Sequence, residues 1–254
     1  MSSVSAREMG RSVLGHYIHG EWIESGAPFA VEDPATGAVT GYAAEGSARE
    51  VELAVESARA AARPAWTEDA PRRSRVLARW ADRVAVNVER IAELLTRENG
   101  KIIAESRMEV RATADALRFA AGQARTLEGR SVTLAPGVYG EVVPEPLGVV
   151  ALIVPWNWPL LLMTRELGPA LAAGNTVVIK PASFTPLAVA EIVRLAADDE
   201  LPVGAVNLVL GPGRTVGEAL VGHAGVDAVS FTGDSATGRR VMELAAGGIK
   251  KVLL

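Results

Sequence analysis

Apolar positions recur at helical spacing through the first half of the chain and gather into short β-rich runs in the second. After Ser47-Ala48-Arg49-Glu50, which has the form of a capping box, Val51, Ala54, Val55, Ala58 and Ala62 fall on one face and predict a surface helix. A second helix is expected from Pro71, suited to a first turn. It runs through Val76, Leu77, Trp80, Val84, Ile91, Leu94 and Leu95 to a stop at Asn99-Gly100, with its arginines facing solvent. A third spans about residues 102–127, with Met108, Ala112, Leu117 and Phe119 expected inside. Ahead of them, Tyr17-Ile18-His19-Gly20-Glu21-Trp22-Ile23 reads as a short hairpin.

Residues 131–147 leave the helical pattern. Ser131 to Leu134, a Pro136-Gly137 turn and Val138 to Val143 read as extended chain, and Pro144 and Pro146 keep it out of a central strand. Such an exposed arm needs cover, from a second subunit or from its own domain. From Gly148 onward, Gly148–Val154, Thr176–Lys180, Val206–Leu210, Ala228–Phe231 and Ile249–Leu254 alternate with helix-like segments. Those helices start near Pro159, Thr185 or Pro186, Arg214 and Ser235; Gly174 and Gly222 close two, and Gly168-Pro169 should kink the first. This is the βαβ signature of a parallel sheet covered on both faces. The chain therefore divides into residues 1–130, a hairpin and helices; 131–147, the β arm; and 148–254, an α/β, doubly wound, Rossmann-like region.

Composition narrows the partners. Of 254 residues, 49% are apolar and 22% charged, and the net charge of −4 offers neither a basic face for nucleic acid nor an acidic tail. No cysteine is present, which excludes disulfides and thiolate metal sites, and three histidines (His16, His19, His223) leave little for any other metal. The most apolar stretch, Val149 to Met163, is interrupted by Pro155, Asn157 and Pro159 and is too short to span a membrane. Met1 to Gly10 lacks the apolar core of a signal peptide, so a soluble cytoplasmic protein is expected.

Candidate chemistry collects where strands end. Asn157 and Lys180 follow two successive apolar strands, and ligands of open parallel sheets sit in the crevice beyond the strands' carboxyl ends. Gly211-Pro212-Gly213-Arg214-Thr215-Val216-Gly217 and Gly233-Asp234-Ser235-Ala236-Thr237-Gly238 each link a strand to a helix, where free N–H groups favour an anion such as a pyrophosphate. Glycine at such corners also serves plain turn chemistry.

These residues carry a family resemblance. Pro155-Trp156-Asn157-Trp158-Pro159-Leu160, Leu167-Gly168-Pro169-Ala170-Leu171-Ala172-Ala173-Gly174-Asn175, Ile179-Lys180-Pro181-Ala182-Ser183, Leu201-Pro202-Val203-Gly204-Ala205-Val206-Asn207 and Ser230-Phe231-Thr232-Gly233 strongly resemble the NAD(P)-dependent aldehyde dehydrogenase superfamily. The likeness runs from the Ile18–Ile23 strand to Leu254 and corresponds to the N-terminal half of such an enzyme.

The resemblance implies a role for each matching position. Asn157 corresponds to the catalytic asparagine, whose amide holds the oxyanion together with a backbone N–H of the nucleophilic cysteine. One preorganised donor of this kind is worth about 3–4 kcal/mol in the transition state. Lys180 corresponds to the lysine on the adenosine ribose. Ser183 stands where a glutamate commonly binds the ribose hydroxyls and repels a 2′-phosphate, so NADP should be tolerated as well as NAD. Gly213, Gly217, Phe231, Thr232 and Gly233 match positions near the cofactor, while Pro155, Trp156 and Trp158 shape its passage or serve as core. Asp234 departs from the usual serine: it turns away to cap the helix, the favoured arrangement, or leaves the phosphate to Ser235.

The family's cysteine nucleophile, and the glutamate base after the strand that Ile249–Leu254 resembles, are expected beyond this chain. Alone, the 254 residues are then expected to be catalytically silent, lacking the catalytic domain, poorly stable at the sheet edge near Leu254, and completed as a homodimer or homotetramer acting on a small aldehyde. Two other classes compete with this reading. A short-chain dehydrogenase needs a tyrosine with a lysine four residues on, yet Tyr17, Tyr42 and Tyr139 are followed there by Glu21, Gly46 and Val143. A non-catalytic nucleotide-binding or assembly module fits the missing cysteine.

Overall fold

Two periodicities build the molecule, period two in a central sheet and period 3.6 in the helices that cover it. The structure, a computed structural model, describes residues 12–198 and 200–254. The expectation about Met1 to Gly10 lies outside the described residues. The chain opens with β1 (Val13–Leu14), β2 (His16–Ile18), β3 (Glu21–Ile23), β4 (Pro28–Glu32) and β5 (Val39–Ala44). Five helices follow: α1 (Ala48–Ala61), α2 (Pro64–Thr67), α3 (Ala70–Val86), α4 (Val88–Asn99) and α5 (Ile103–Gln123). Then come β6 (Arg130–Ala135), β7 (Val138–Val142), β8 (Val149–Ile153), α6 (Pro159–Ala172), β9 (Thr176–Lys180), α7 (Pro186–Arg194) and β10 (Val206–Leu208). A π-helical turn at Gly213–Gly217 leads into α8 (Glu218–Gly222), and β11 (Ala228–Phe231), α9 (Ser235–Ala246) and β12 (Lys251–Leu253) complete the chain.

The main sheet has the order β12-β11-β8-β9-β10-β2-β3, with its first five strands parallel and the β2–β3 hairpin added antiparallel on β10. Alternate residues of β8 divide between two cores. Val150 and Leu152 pack with α3, α5, α6 and α7, whereas Val149 and Ala151 pack with α1, α8 and α9. This is the doubly wound α/β arrangement expected from the strand pattern. Chain order runs outward in both directions from β8, so the topological switch lies between β8 and β11, where ligands of such sheets bind.

Local signals are met where they are local. The hairpin turns on His19 (φ 54°) and Gly20 (φ 81°), both left-handed as a two-residue primed turn demands. Ser47 and Glu50 form the reciprocal capping box of α1. Gly100, at φ 83°, ends α4. Among the described residues, strands β6 and β7 pair only with each other, forming an exposed two-stranded ribbon.

Other expectations need correction. The helix from Pro71 to Asn99 is two helices, broken at Asn87. Its N–H bonds Val84 O, its Nδ2 donates to Arg83 O at 2.8 Å, and its own carbonyl starts α4. The arginines do not all face solvent: Arg73 is 4% exposed and donates to Ala172 O, Trp66 O and Thr67 O at 2.7–2.9 Å. Arg79 and Arg83 converge on the nearly buried Asp198. On α5, Met108 and Phe119 are exposed, Ala112 is half-buried, and of the four expected positions only Leu117 is inside. The buried stripe is Ser106, Glu109, Val110, Thr113, Ala114, Leu117, Ala120 and Ala121. Small side chains let α5 lie close to α6, where a Cβ on Gly168 would come 2.8 Å from Ala120 Cβ, so hydropathy pointed to the wrong face. The three-stranded sheet β1-β5-β4 was not anticipated from the pattern.

Candidate functional site

The parallel register pairs Ile153 with Lys180, so the loops after β8 and β9 leave the sheet at the same edge. At that edge, beside the switch point, lies a cleft of about 370 Å³. Ile153, Val221, Phe231, Val241 and Leu244 give it apolar walls, and Gly213 and Gly217 form part of its rim. Nothing lies within 4 Å of where a Gly213 Cβ would be, so the backbone there is open to a ligand. Of the charged residues at the cleft, Glu218 and Arg240 neutralise each other at 2.8 Å, while Arg214 makes no ion pair among the described residues.

Lys180 is the most unusual group on this rim. It is 5% exposed, and among the described residues its ammonium has no hydrogen-bond or ion-pair partner. Burial pushes its pKa down to about 8. Its side chain points to the same face as Ile153, and its Cδ lies 3.9 Å from where a Gly217 Cβ would be. The Nζ atom is not among the buried polar atoms without a partner, so it keeps contact with solvent and is open to an incoming anion or hydroxyl. Ser183 is half-buried with its hydroxyl donating to Gly211 O at 3.2 Å, so that proton is committed to the chain.

Asn157 lies in the loop between β8 and α6 with an exposed side chain whose amide has no partner among the described residues. Its backbone is tied down instead. Lys101 Nζ donates to Asn157 O at 2.6 Å, and Asn99 Nδ2 donates to Trp156 O at 2.6 Å. Trp156 is exposed, Pro155 is half-buried, and the Trp158 ring lies under the Lys101 ammonium at 4.4 Å. Beyond β11, a Cβ on Gly233 would collide with the Phe231 ring, which explains glycine at that corner. Asp234 caps α9, accepting from Ala236 N at 3.0 Å, Thr237 N at 2.9 Å and Thr237 Oγ1 at 2.7 Å. The bonds from Thr237 hold its carboxyl below the ordinary range. Capping is thus the alternative adopted, and Ser235 stays exposed at the first position of the helix.

The expected site residues share one rim but not one cavity. Gly213, Gly217 and Phe231 line the 370 Å³ cleft; Trp156 and Ser183 line a second hollow of about 610 Å³; Thr232, Gly233 and Ser235 line a third of about 390 Å³, which also includes Phe231. Sequence reasoning missed Asn99, Lys101 and Glu109, which brace the Asn157 loop. Asn99 carries a helix-stop signal and no other, and no local signal ties Glu109, inside a helix, to a loop some fifty residues on. Among the described residues, no group of three or more His, Asp or Glu is placed to hold a metal, and no helix is long and apolar enough to cross a membrane.

Fold and rim together define a doubly wound α/β protein with an apolar-walled cleft at its topological switch point. The chain belongs to the aldehyde dehydrogenase family, whose profile matches residues 22–254. It is 41% identical to phenylacetaldehyde dehydrogenase of Pseudomonas fluorescens, covering 93% of this chain and 49% of that protein. It is 39% identical to glutarate-semialdehyde dehydrogenase of Pseudomonas putida, covering 94% and 50%. Among solved structures, betaine aldehyde dehydrogenase of Staphylococcus aureus in complex with NAD+ superimposes with a TM-score of 0.91 at 33% identity, covering 96% of this chain and 49% of that one. The chain spans about half the length of the curated relatives it matches.

Proposed function

We propose that this chain is the dinucleotide-binding half of an aldehyde dehydrogenase and that it also supplies the carboxamide that polarises the aldehyde. The observation that carries the reading is Lys180, a buried side chain whose ammonium reaches the rim without a partner among the described residues, next to Gly217 of an apolar cleft at the switch point. The residues present fit an adenine dinucleotide. The apolar walls suit a flat heteroaromatic ring, the open glycines admit close approach of a ribose or phosphate, and Lys180 answers a ribose hydroxyl or a phosphate oxygen. NAD or NADP, when bound, supplies the hydride acceptor.

The chain's own residues do the rest. Pro155 and Trp156 guide the cofactor past the loop, Phe231, Thr232 and Gly233 shape the corner beside it, and Ser235 stands nearest a phosphate now that Asp234 is committed to its cap. Asn157 offers a neutral N–H donor, which stabilises a developing oxyanion without protonating it. The sequence contains no cysteine, so the thiolate for a thiohemiacetal must come from outside these 254 residues, and the chain by itself oxidises no aldehyde. With no carboxylate at Ser183, a 2′-phosphate meets no repulsion there, and NADP is accepted alongside NAD.

In this reading residues 1–130 and 148–254 form one cofactor-binding domain. The ribbon 131–147 is an arm that joins subunits into a dimer or tetramer, and the protein works in the cytoplasm on a small aldehyde. Exposed Val132, Leu134, Val138 and Tyr139 on the ribbon support the arm. Isothermal titration of the chain with NAD+ and with NADP+ tests the proposal. Saturable binding of both is expected, and no heat of binding at millimolar cofactor from a cooperatively folded chain would overturn it.

A further inference from the structure

A buried charge pair stands behind the Asn157 loop. Lys101 follows the left-handed Gly100, and its side chain is 7% exposed; Glu109, on α5, is fully buried. The two are ion-paired through Oε2. The same ammonium donates to Asn157 O at 2.6 Å and covers the Trp158 ring at 4.4 Å. The other carboxylate oxygen, Oε1, accepts from Leu160 N at 2.8 Å and Leu161 N at 3.2 Å, in the first turn of α6. One pair therefore grips the loop at Asn157 and the helix that begins two residues later.

Apolar residues of like shape often replace a buried ion pair at no cost in stability, but here they would leave Leu160 N, Leu161 N and Asn157 O without partners. What apolar residues could not supply is a donor aimed at the Asn157 carbonyl. The Asn157 side chain has no hydrogen-bond partner among the described residues, so the backbone sets the direction of its Cα–Cβ bond with no second anchor on the carboxamide. That backbone is held by Lys101, and Lys101 is held by Glu109.

The geometry points to Lys101, backed by Glu109, as the positioning residue for Asn157, holding the carboxamide preorganised before any ligand arrives. This rests on the reading of Asn157 as donor to a reacting carbonyl, and it assigns the restraint that makes the donor effective. A donor is worth most when it needs no reorganisation as charge develops.

The test uses the full 254-residue chain. The double variant Lys101→Met/Glu109→Gln removes both charges together and leaves no buried carboxylate without its cation. Amide hydrogen exchange over residues 155–161 and the ¹⁵N order parameter of the Asn157 side-chain amide report the loop, and calorimetry with NAD+ reports the cleft. The expected result is exchange at least tenfold faster in the loop, a lower Asn157 order parameter, little change in α3 and α9, and NAD+ affinity within about threefold of the parent. Lys101→Arg, which keeps a cationic donor, should recover most of the protection. Unchanged loop exchange, or acceleration spread evenly through α3 to α6, would overturn the proposal. If the double variant does not fold, Glu109→Gln alone decides. It keeps an acceptor for Leu160 N and Leu161 N but removes the charge that holds Lys101, so the Asn157 order parameter should fall, and an unchanged order parameter in the folded variant would overturn the assignment. Failure of the parent chain to bind NAD+ would sink the cofactor reading and leave the loop result standing.

Discussion

Ile153 and Lys180 lie opposite each other in the parallel pair β8–β9, and the bond from Val154 N to Lys180 O at 3.0 Å extends that pairing one step past the strand. Residues opposite in a parallel ladder point to the same face, so the Ile153 side chain walls the cleft while the Lys180 side chain, on the neighbouring strand, runs beside Gly217 of its rim. The Asn157 loop starts from the same edge. Four predictions follow from this rim and from the helices that support it.

Lys180→Met should weaken NAD+ binding by roughly ten- to a hundredfold, since a hydrogen bond from a charged donor is worth about 1.5–3 kcal/mol. Folding should not suffer, because the ammonium has no partner to lose among the described residues. Calorimetry and a thermal melt read the two effects separately, and wild-type affinity in the variant would remove Lys180 from the cleft's chemistry.

Cofactor affinity should depend on pH through the same group. With its pKa near 8 in the folded protein, Lys180 is charged below that value and loses its proton above it. Binding to an anion or a hydroxyl oxygen should hold steady below about 8 and decline above it. Stability runs the opposite way. The unfolded chain keeps this proton up to its ordinary pKa of 10.5, so the folded state binds fewer protons between 8 and 10.5 and gains stability as pH rises through that window. Titrations across this range, with Lys180→Met as the flat reference, check both signs.

Asp234→Ala should destabilise α9, whereas Asp234→Asn should largely preserve it, because either oxygen-bearing side chain can accept from Ala236 N and Thr237 N. The cap is present above the carboxyl's ordinary pKa and is lost as pH falls through its lowered folded value. Urea denaturation of the two variants distinguishes them. Equal loss in both would mean that charge, not hydrogen bonding, supports the helix start.

Arg73→Met should cost about 3 kcal/mol, since a buried charged donor serves three carbonyls that would be left without partners. Denaturant unfolding measures it. A loss below about 1 kcal/mol would show that water replaces the guanidinium at Ala172 O, Trp66 O and Thr67 O.

Legibility followed the range of the interaction. The capping box at Ser47, the turn at His19-Gly20 and the left-handed Gly100 involve neighbours in sequence, and each is found where its residues suggested. The strands β8 to β11 were legible because a sheet buried on both faces demands continuous apolar runs. The break at Asn87 was hidden, since apolar periodicity continues across it and only the side-chain bond to Arg83 O marks it. The face of α5 was hidden for another reason: close helix packing selected alanine, serine and threonine over the larger Met108 and Phe119. In the site, Asn157, Lys180 and the glycine corners could be named from motif and strand ends. Nothing local announced that Ser183 would donate to Gly211 O.

The sequence by itself determined the layered α/β plan, the strands whose ends carry Asn157 and Lys180, and membership in a family, because these depend on local periodicity and ordered motifs. Only the tertiary structure decided that Lys180 has no partner among the described residues, that Asp234 caps its helix, and that Lys101 and Glu109 brace the Asn157 loop. Those outcomes depend on which distant groups share a low-dielectric interior. There, an unmet charge or a correctly placed donor is set by three-dimensional neighbours that no window of sequence contains.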